Sequence, residues 1–189
     1  MTADSLGSAG STASPAARAN RIKYACGESQ SRCRIDVNMA RLYEDFHVGD
    51  TYRSALGRTV TETDNLLFTM LTMNTNELHF NEEAAARTEF GRILVNSTFT
   101  LALVVGLSVA DTSQAGAVNL GWESVRLPAP VFIGDTLWSE TEVLAARESG
   151  SRPRSGIVTV RTRGVNQRGE TVIDYERSFI IPKRAASGT

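Results

Sequence analysis

The sequence predicts an α+β domain in which an antiparallel sheet curls around one buried helix. Three observations carry this reading. The most apolar stretch, Ile93–Ala110, is apolar nearly all round from Phe99 to Val109, broken only by Thr100, Gly106 and Ser108, as in a helix buried on most faces. Everything from Ala117 onward falls into alternating segments separated by Gly, Asp, Ser and Pro turns, the signature of antiparallel strands. Upstream of the apolar helix lie one strand and two shorter helical segments. A helix packed on the concave face of a sheet satisfies that order. The outer face must then be solvated or covered by another subunit, and pairing of subunits edge to edge would hide the open strand edges.

The elements follow in order. Gly49-Asp50 makes a turn, and Thr51–Thr61 mixes Thr, Tyr and Val as a strand does. Thr63-Asp64 offers a cap for a helix over Asn65–Met73, where Leu66, Leu67, Met70, Leu71 and Met73 recur at helical spacing. Asn74-Thr75-Asn76 breaks it. Asn81 then caps a short polar helix running to Phe90, with Glu82 and Glu83 in its first turn, where the helix dipole favours them, and Gly91 ends it. The apolar helix opens at Asn96-Ser97 and closes at Asp111. Strands are expected over Ala117–Leu127, Thr136–Arg147, Ile157–Asn166 and Thr171–Ile181, with turns at Pro128-Ala129-Pro130, Gly134-Asp135, Glu148–Gly156 and Arg168-Gly169. No repeat of 20–50 residues is visible.

Composition narrows the function. The 189 residues carry 20 Lys+Arg against 21 Asp+Glu, a net charge of −1, and 41% apolar residues. That is one ordinary core-forming domain with no electrostatic footprint for nucleic acid. No run of 18 apolar residues suggests a membrane span, and a cytoplasmic location is expected. The average conceals a break near Met39. Residues 1–38, rich in Ala, Ser, Gly and Arg, hold five basic and three acidic side chains; the other 151 residues hold 15 and 18. We expect 1–38 to be a disordered or mis-started extension, 39–183 the folded domain, and 184–189 a flexible tail. Both cysteines, Cys26 and Cys33, fall in the extension, so thiol chemistry is not expected, and two His with two Cys make a weak case for zinc.

Two histidines remain. His47 sits near the start of the domain and reads as a surface or capping residue. His79 lies in a loop between two helices, just ahead of the buried one, where a rigid scaffold displays chemistry and where a side chain titrating near neutrality suits proton transfer. A structural role for His79 is equally compatible with its residue type.

The residues around it carry a resemblance. Met73-Asn74-Thr75-Asn76-Glu77-Leu78-His79 resembles the Gly-Asp-x-Asn-Pro-x-His motif of the MaoC-like (R)-specific enoyl-CoA hydratases. As in that family, a short helix and a Phe90-Gly91-Arg92 turn follow, then a long helix opened by Val95-Asn96-Ser97. Gly121-Trp122-Glu123, Pro128-x-Pro130-Val131 and Gly134-Asp135-Thr136-Leu137 resemble the family's sheet signature. The likeness covers about residues 41–183, and TMNTNELHF with LVNSTFT brings it nearest to the subgroup acting on mesaconyl-CoA and itaconyl-CoA. It implies the hot-dog fold, an antiparallel sheet wrapped around a long central helix. It also implies hydration of the 2,3 double bond of a short, branched C5 dicarboxylyl enoyl-CoA, or the reverse dehydration.

By that resemblance His79 is the acid/base, Asn74 positions the water, and the helix terminus at Asn96 and Ser97 holds the thioester oxygen. Three departures bear on mechanism. Asn74 stands where the family has Asp, and an amide has no proton-accepting carboxylate. Glu77 stands at the Pro position. Asn96-Ser97-Thr98 replaces the family's His-Gly-Met. Glu77 and Asp64 are the nearest candidates for a supporting acid, although Asp64 also reads as a helix cap and Glu77 as a solvated loop residue. Arg58, Arg87 and Arg92 flank the motif and are candidates to contact a substrate carboxylate or CoA phosphate; each also reads as a surface charge. No metal or organic cofactor is expected. The expected partners are an acyl-CoA and a second copy of the chain in a homodimer or larger homo-oligomer. Two alternatives stay open: a non-catalytic acyl-CoA-binding subunit of a hot-dog heterodimer, prompted by Asn74, and an acyl-CoA thioesterase.

Overall fold

The structure, a computed structural model, describes residues 40–185. The expectations for 1–38, for both cysteines and for most of the 184–189 tail lie outside those residues. Among the described residues, six strands form one antiparallel sheet: β1 (Thr51–Arg53), β2 (Arg58–Thr59), β3 (Val118–Arg126), β4 (Thr136–Glu148), β5 (Ser155–Asn166) and β6 (Thr171–Pro182). Their order is β1-β4-β5-β6-β3, with β2 also paired to β4. The helices are α1 (Glu62–Leu71), α2 (Glu82–Ala86) and α3 (Ser97–Thr112). No helix among the described residues is long and apolar enough to cross a membrane.

The long strands β4, β5 and β6 alternate buried and exposed residues over most of their length, so one face of the sheet is fully committed to the core. α3 lies on that face. It presents Thr100, Val104, Ser108 and Thr112, one residue every helical turn. Three of these four are hydroxyls, and each donates back into its own helix: Thr100 to Asn96 O, Ser108 to Val105 O and Thr112 to Ser108 O. Their polarity is satisfied internally, and their small size lets the helix approach closely. The approach is tightest at Gly164 of β5, where a Cβ would stand 2.6 Å from Val104 Cγ2; a larger residue would push the helix off the sheet. Leu101, Leu103, Val105 and Leu107 flank the contact, half-buried against Val60, Leu137 and Ile173.

Five expectations are corrected, the last at the strand after α3. The helix expected to be buried on most faces buries one stripe in this chain, and Ala102, Gly106 and Ala110 are exposed. The strand expected over Thr51–Thr61 is two strands, because the Ser54 hydroxyl accepts the Ser139 amide at 3.0 Å and so replaces a backbone carbonyl in the ladder. α1 begins at Glu62 and its cap is Thr61; Asp64 is the third residue of the helix and closes a capping box by accepting the Thr61 amide at 2.9 Å. α2 is five residues long and does not reach Phe90; Asn81 does cap it, accepting the Ala84 amide at 3.2 Å.

The strand after α3 does not alternate. β3 sits at the sheet edge with nearly every residue exposed, including Val118, Leu120, Trp122 and Val125. By contrast the turn before β4 is firmly held. Gly134 takes a φ of 91°, the left-handed conformation that suits glycine. Asp135, 5% exposed, accepts hydrogen bonds from Gln167 Nε2 at 2.7 Å, Arg168 at 3.0 Å and the Phe132 amide at 3.0 Å. Burial works to raise its carboxyl, but those donors outweigh it and hold it below the usual range.

A depressed folded-state value means that ionised Asp135 stabilises the fold above the unfolded carboxylate range, and that the contribution is lost as pH falls. Asp135→Ala is therefore expected to cost about 1–3 kcal/mol in urea unfolding at pH 7. The gap from wild type should narrow below about pH 4.

Candidate active site

His79 ends a single 3₁₀ turn, Glu77–His79, that follows α1. The turn exists because Asn76 caps it, its side chain accepting the Leu78 amide at 3.2 Å. His79 itself is 8% exposed. Its Nδ1 lies 2.8 Å from Leu94 O. A carbonyl can only accept, so Nδ1 carries the proton in the neutral ring and Nε2 keeps the lone pair. The same two segments are joined again by Leu94 N donating to Leu78 O at 3.2 Å. The imidazole is thus fixed in rotation and tautomer by the strap leading into α3.

That strap ends at Asn96, buried and non-helical, which caps α3: its Oδ1 accepts the Thr98 amide at 3.0 Å and the Thr98 hydroxyl at 2.6 Å. The first helical bond is Thr100 N to Asn96 O. The amides of Ser97 and Phe99 lie ahead of it, where free donors and the positive end of the dipole gather. Ser97, exposed, lines a hollow of about 230 Å³ together with Leu94, Thr100, Phe90 and the Leu127–Val131 segment. One residue, Leu94, both lines this hollow and holds the histidine ring. A larger hollow of about 430 Å³ between α2 and the Arg92 turn is lined by Glu62, Glu82, Glu83 and Arg92 among others. It contains neither Ser97 nor Leu94; the smaller hollow contains both, and His79 adjoins it through the Leu94 carbonyl rather than lining it.

The remaining candidates scatter. Asn74 is half-buried, and its Oδ1 accepts the Asn76 amide at 3.0 Å, which shapes the loop. Met73, at the first position of the motif, has a φ of 55°, left-handed backbone that strains a side chain other than glycine's. Glu77 is exposed and accepts from Asn81 at 3.1 Å. Asp64 and Arg58 hold each other, Arg58 reaching both carboxylate oxygens at 2.9 and 3.0 Å. Hydrogen bonds from the Thr61 hydroxyl and amide, then Arg58, keep the Asp64 carboxyl below its ordinary range, so it is committed to the start of α1. Arg87 is the exposed C-cap of α2, and Arg92 stacks over Phe132, 3.7 Å from the ring centre.

Two residues that sequence reasoning missed bind this site together. Asn65 and Thr69 of α1 are buried, at 1% and 0% exposure. Asn65 donates to His79 O at 2.8 Å and accepts the Asn96 amide at 2.9 Å; Thr69 Oγ1 accepts from Asn96 Nδ2 at 3.3 Å. A polar pair four residues apart marks one face of a helix, and here it is the buried face, while Leu66, Leu67, Met70 and Leu71 of α1 stay exposed.

The family model for mesaconyl-CoA hydratase matches residues 32–189. A mesaconyl-CoA hydratase of Cereibacter sphaeroides is 37% identical over 150 residues, covering 79% of this chain and 43% of that protein. The chain thus spans less than half the length of that curated relative. The crystal structure of a MaoC-like dehydratase from Rhodospirillum rubrum matches with a TM-score of 0.69 at 31% identity, covering 77% of this chain and 99% of that one. The fold alone reaches further, to a Mycobacterium tuberculosis protein with a double hotdog fold, at a TM-score of 0.71 and 20% identity over 79% of this chain and 46% of that one. A sheet wrapped around α3, a histidine locked against the strap that opens that helix, and a match running through both make the fold a hot dog, and the chain belongs to the mesaconyl-CoA hydratase family.

Proposed function

We propose that the protein is an acyl-CoA hydratase, a dehydratase in reverse, acting in the cytoplasm on a short, branched C5 dicarboxylyl enoyl-CoA. The observation that carries this is the His79 ring, its Nδ1 held by the carbonyl of Leu94, a residue that also lines the hollow onto which the N-terminus of α3 opens. Hydration needs a base for water, a proton for the α-carbon and a home for the charge that develops on the thioester oxygen. Nε2 takes a proton from water as the water oxygen bonds to the β-carbon. The electron pair of the double bond moves toward the thioester carbonyl, whose oxygen faces the amides near Ser97. The imidazolium then returns its proton to the α-carbon, so that one water has been added and His79 ends neutral. Asn74 orients the water without taking its proton. The named activities of the family's members support the class of reaction.

The reading is tested by following loss of enoyl-thioester absorbance with the full-length protein and a panel of mesaconyl-, itaconyl- and unbranched enoyl-CoAs. Turnover of at least one is expected. His79→Ala should lower kcat by roughly 10²–10⁴-fold with the protein still folded. Asn74→Asp, which supplies the carboxylate usual in the family, should raise kcat. An inactive wild type that binds acyl-CoA and gains activity only with a second hot-dog chain would instead favour the non-catalytic subunit.

We infer that the working unit contains a second copy of this chain, docked along β3. Leu120 and Trp122 are 56% and 42% exposed on that edge strand, a combination that invites pairing. The 150 aligned residues make up 43% of the Cereibacter sphaeroides relative, which leaves that protein room for a second domain of this size, the place we assign to a second copy. Sedimentation should give a dimer for the wild type, and Leu120→Lys with Trp122→Glu should give a folded monomer.

A further inference from the structure

We propose that Asn65 is a positioning residue, which fixes the distance between the His79 acid/base and the helix amides that face the thioester oxygen. The inference rests on the hydratase reading above. Asn65 touches both halves of the site from a third element. Its Nδ2 donates to the His79 carbonyl at 2.8 Å, and its Oδ1 accepts the amide of Asn96, the cap of α3, at 2.9 Å. Asn65 and Asn96 are each 1% exposed and His79 8%, so water is a poor substitute partner for either backbone group. The His79 carbonyl is one bond from the Cα that aims the ring. The Asn96 amide sets the plane of the peptide that leads into α3. Both ends of a single substrate must be met at once, and a misplacement of about 1 Å is enough to cost on the order of 100-fold in rate.

The side chain must donate on one side and accept on the other, at fixed reach. Asn meets that requirement. Leu has the same size and neither group; Asp keeps the acceptor and, when ionised, turns a second negative oxygen toward the His79 carbonyl. This gives a readout that loss of packing alone would not move. In Asn65→Asp the buried carboxyl, facing a carbonyl, ionises late. Protonated, it restores both hydrogen bonds; ionised, it breaks one.

The experiment uses the full-length chain as wild type, Asn65→Leu and Asn65→Asp, each checked for folding by circular dichroism. With the enoyl-CoA that the wild type turns over, Asn65→Leu is expected to lose kcat on the order of 100-fold with KM changed far less. Asn65→Asp should recover toward wild type at low pH and fall as pH rises, a limb absent from the wild-type profile. A second readout is independent of turnover. In the His47→Gln background, nitrogen NMR of the remaining histidine should show the Nδ1 proton held in the wild type and exchanging faster in Asn65→Leu. Folded Asn65→Leu with wild-type kcat, or an Asn65→Asp profile parallel to the wild type, overturns the proposal. An inactive wild type sinks the hydratase reading, and the NMR signal then decides the proposal: an unchanged Nδ1 proton in Asn65→Leu overturns it.

Discussion

The seat of α3 on the sheet governs the rest of the molecule. Helix and strands approach until Val104 fills the space left by the missing side chain of Gly164, and the buried stripe of the helix is made of Thr100, Ser108 and Thr112 around that valine. Leucines there would stand the helix away from the sheet. Hydroxyls that bond their own helix carry no unsatisfied polarity into the core, and they give a close, rigid contact instead of a thick apolar layer. With the axis of α3 fixed in this way, its N-terminus has one possible position, and Asn96 and the strap before it follow.

The active-site frame is assembled on that fixed terminus by hydrogen bonds rather than by charge. Leu94 O holds the imidazole, Asn96 caps the helix, and Asn65 and Thr69 reach across from α1. Every one of these contacts is neutral, and the Asp64–Arg58 ion pair, whose carboxylate lies on the same helix as Asn65, is spent on the start of α1. In the proposed reaction the developing negative charge on the thioester oxygen would fall to the helix dipole and its amides. Asn74, which stands where an acid is usual, shapes the loop by accepting the Asn76 amide. The far end of α3 shows the complementary arrangement, where Arg177, 1% exposed, donates to Thr112 at 2.8 Å near the negative end of the dipole.

The edges of the fold are less complete than its centre. The sheet face toward α3 is closed over β4, β5 and β6, whereas β3 and the Ala102–Gly106–Ala110 side of α3 stay open. A helix that reads as apolar all round yet buries one stripe has surface to spare. Ala102, Gly106 and Ala110 carry that surface, which is why the burial inferred for α3 exceeds the burial observed.

Much of this was legible in the linear chain. The strands over Thr136–Arg147, Ile157–Asn166 and Thr171–Ile181 lie within a residue or two of their observed bounds, because alternation on a half-buried sheet is a local signal. The opening of α3 at Asn96-Ser97 and the motif ending at His79 were equally plain, since caps and motifs are written in adjacent residues. Other features had no local signature. The break between β1 and β2 depends on Ser54 meeting Ser139, and the start of α1 on which of Thr61, Thr63 and Asp64 closed the capping box. The roles of Asn65 and Leu94 depend on segments up to 31 residues apart being brought within hydrogen-bond reach. The sequence by itself determined the fold class and offered His79 as the candidate, because periodicity and motif residues are carried residue by residue. Only the tertiary structure decided what holds that histidine, because a buried backbone carbonyl or amide looks the same in every sequence until the fold places its partner.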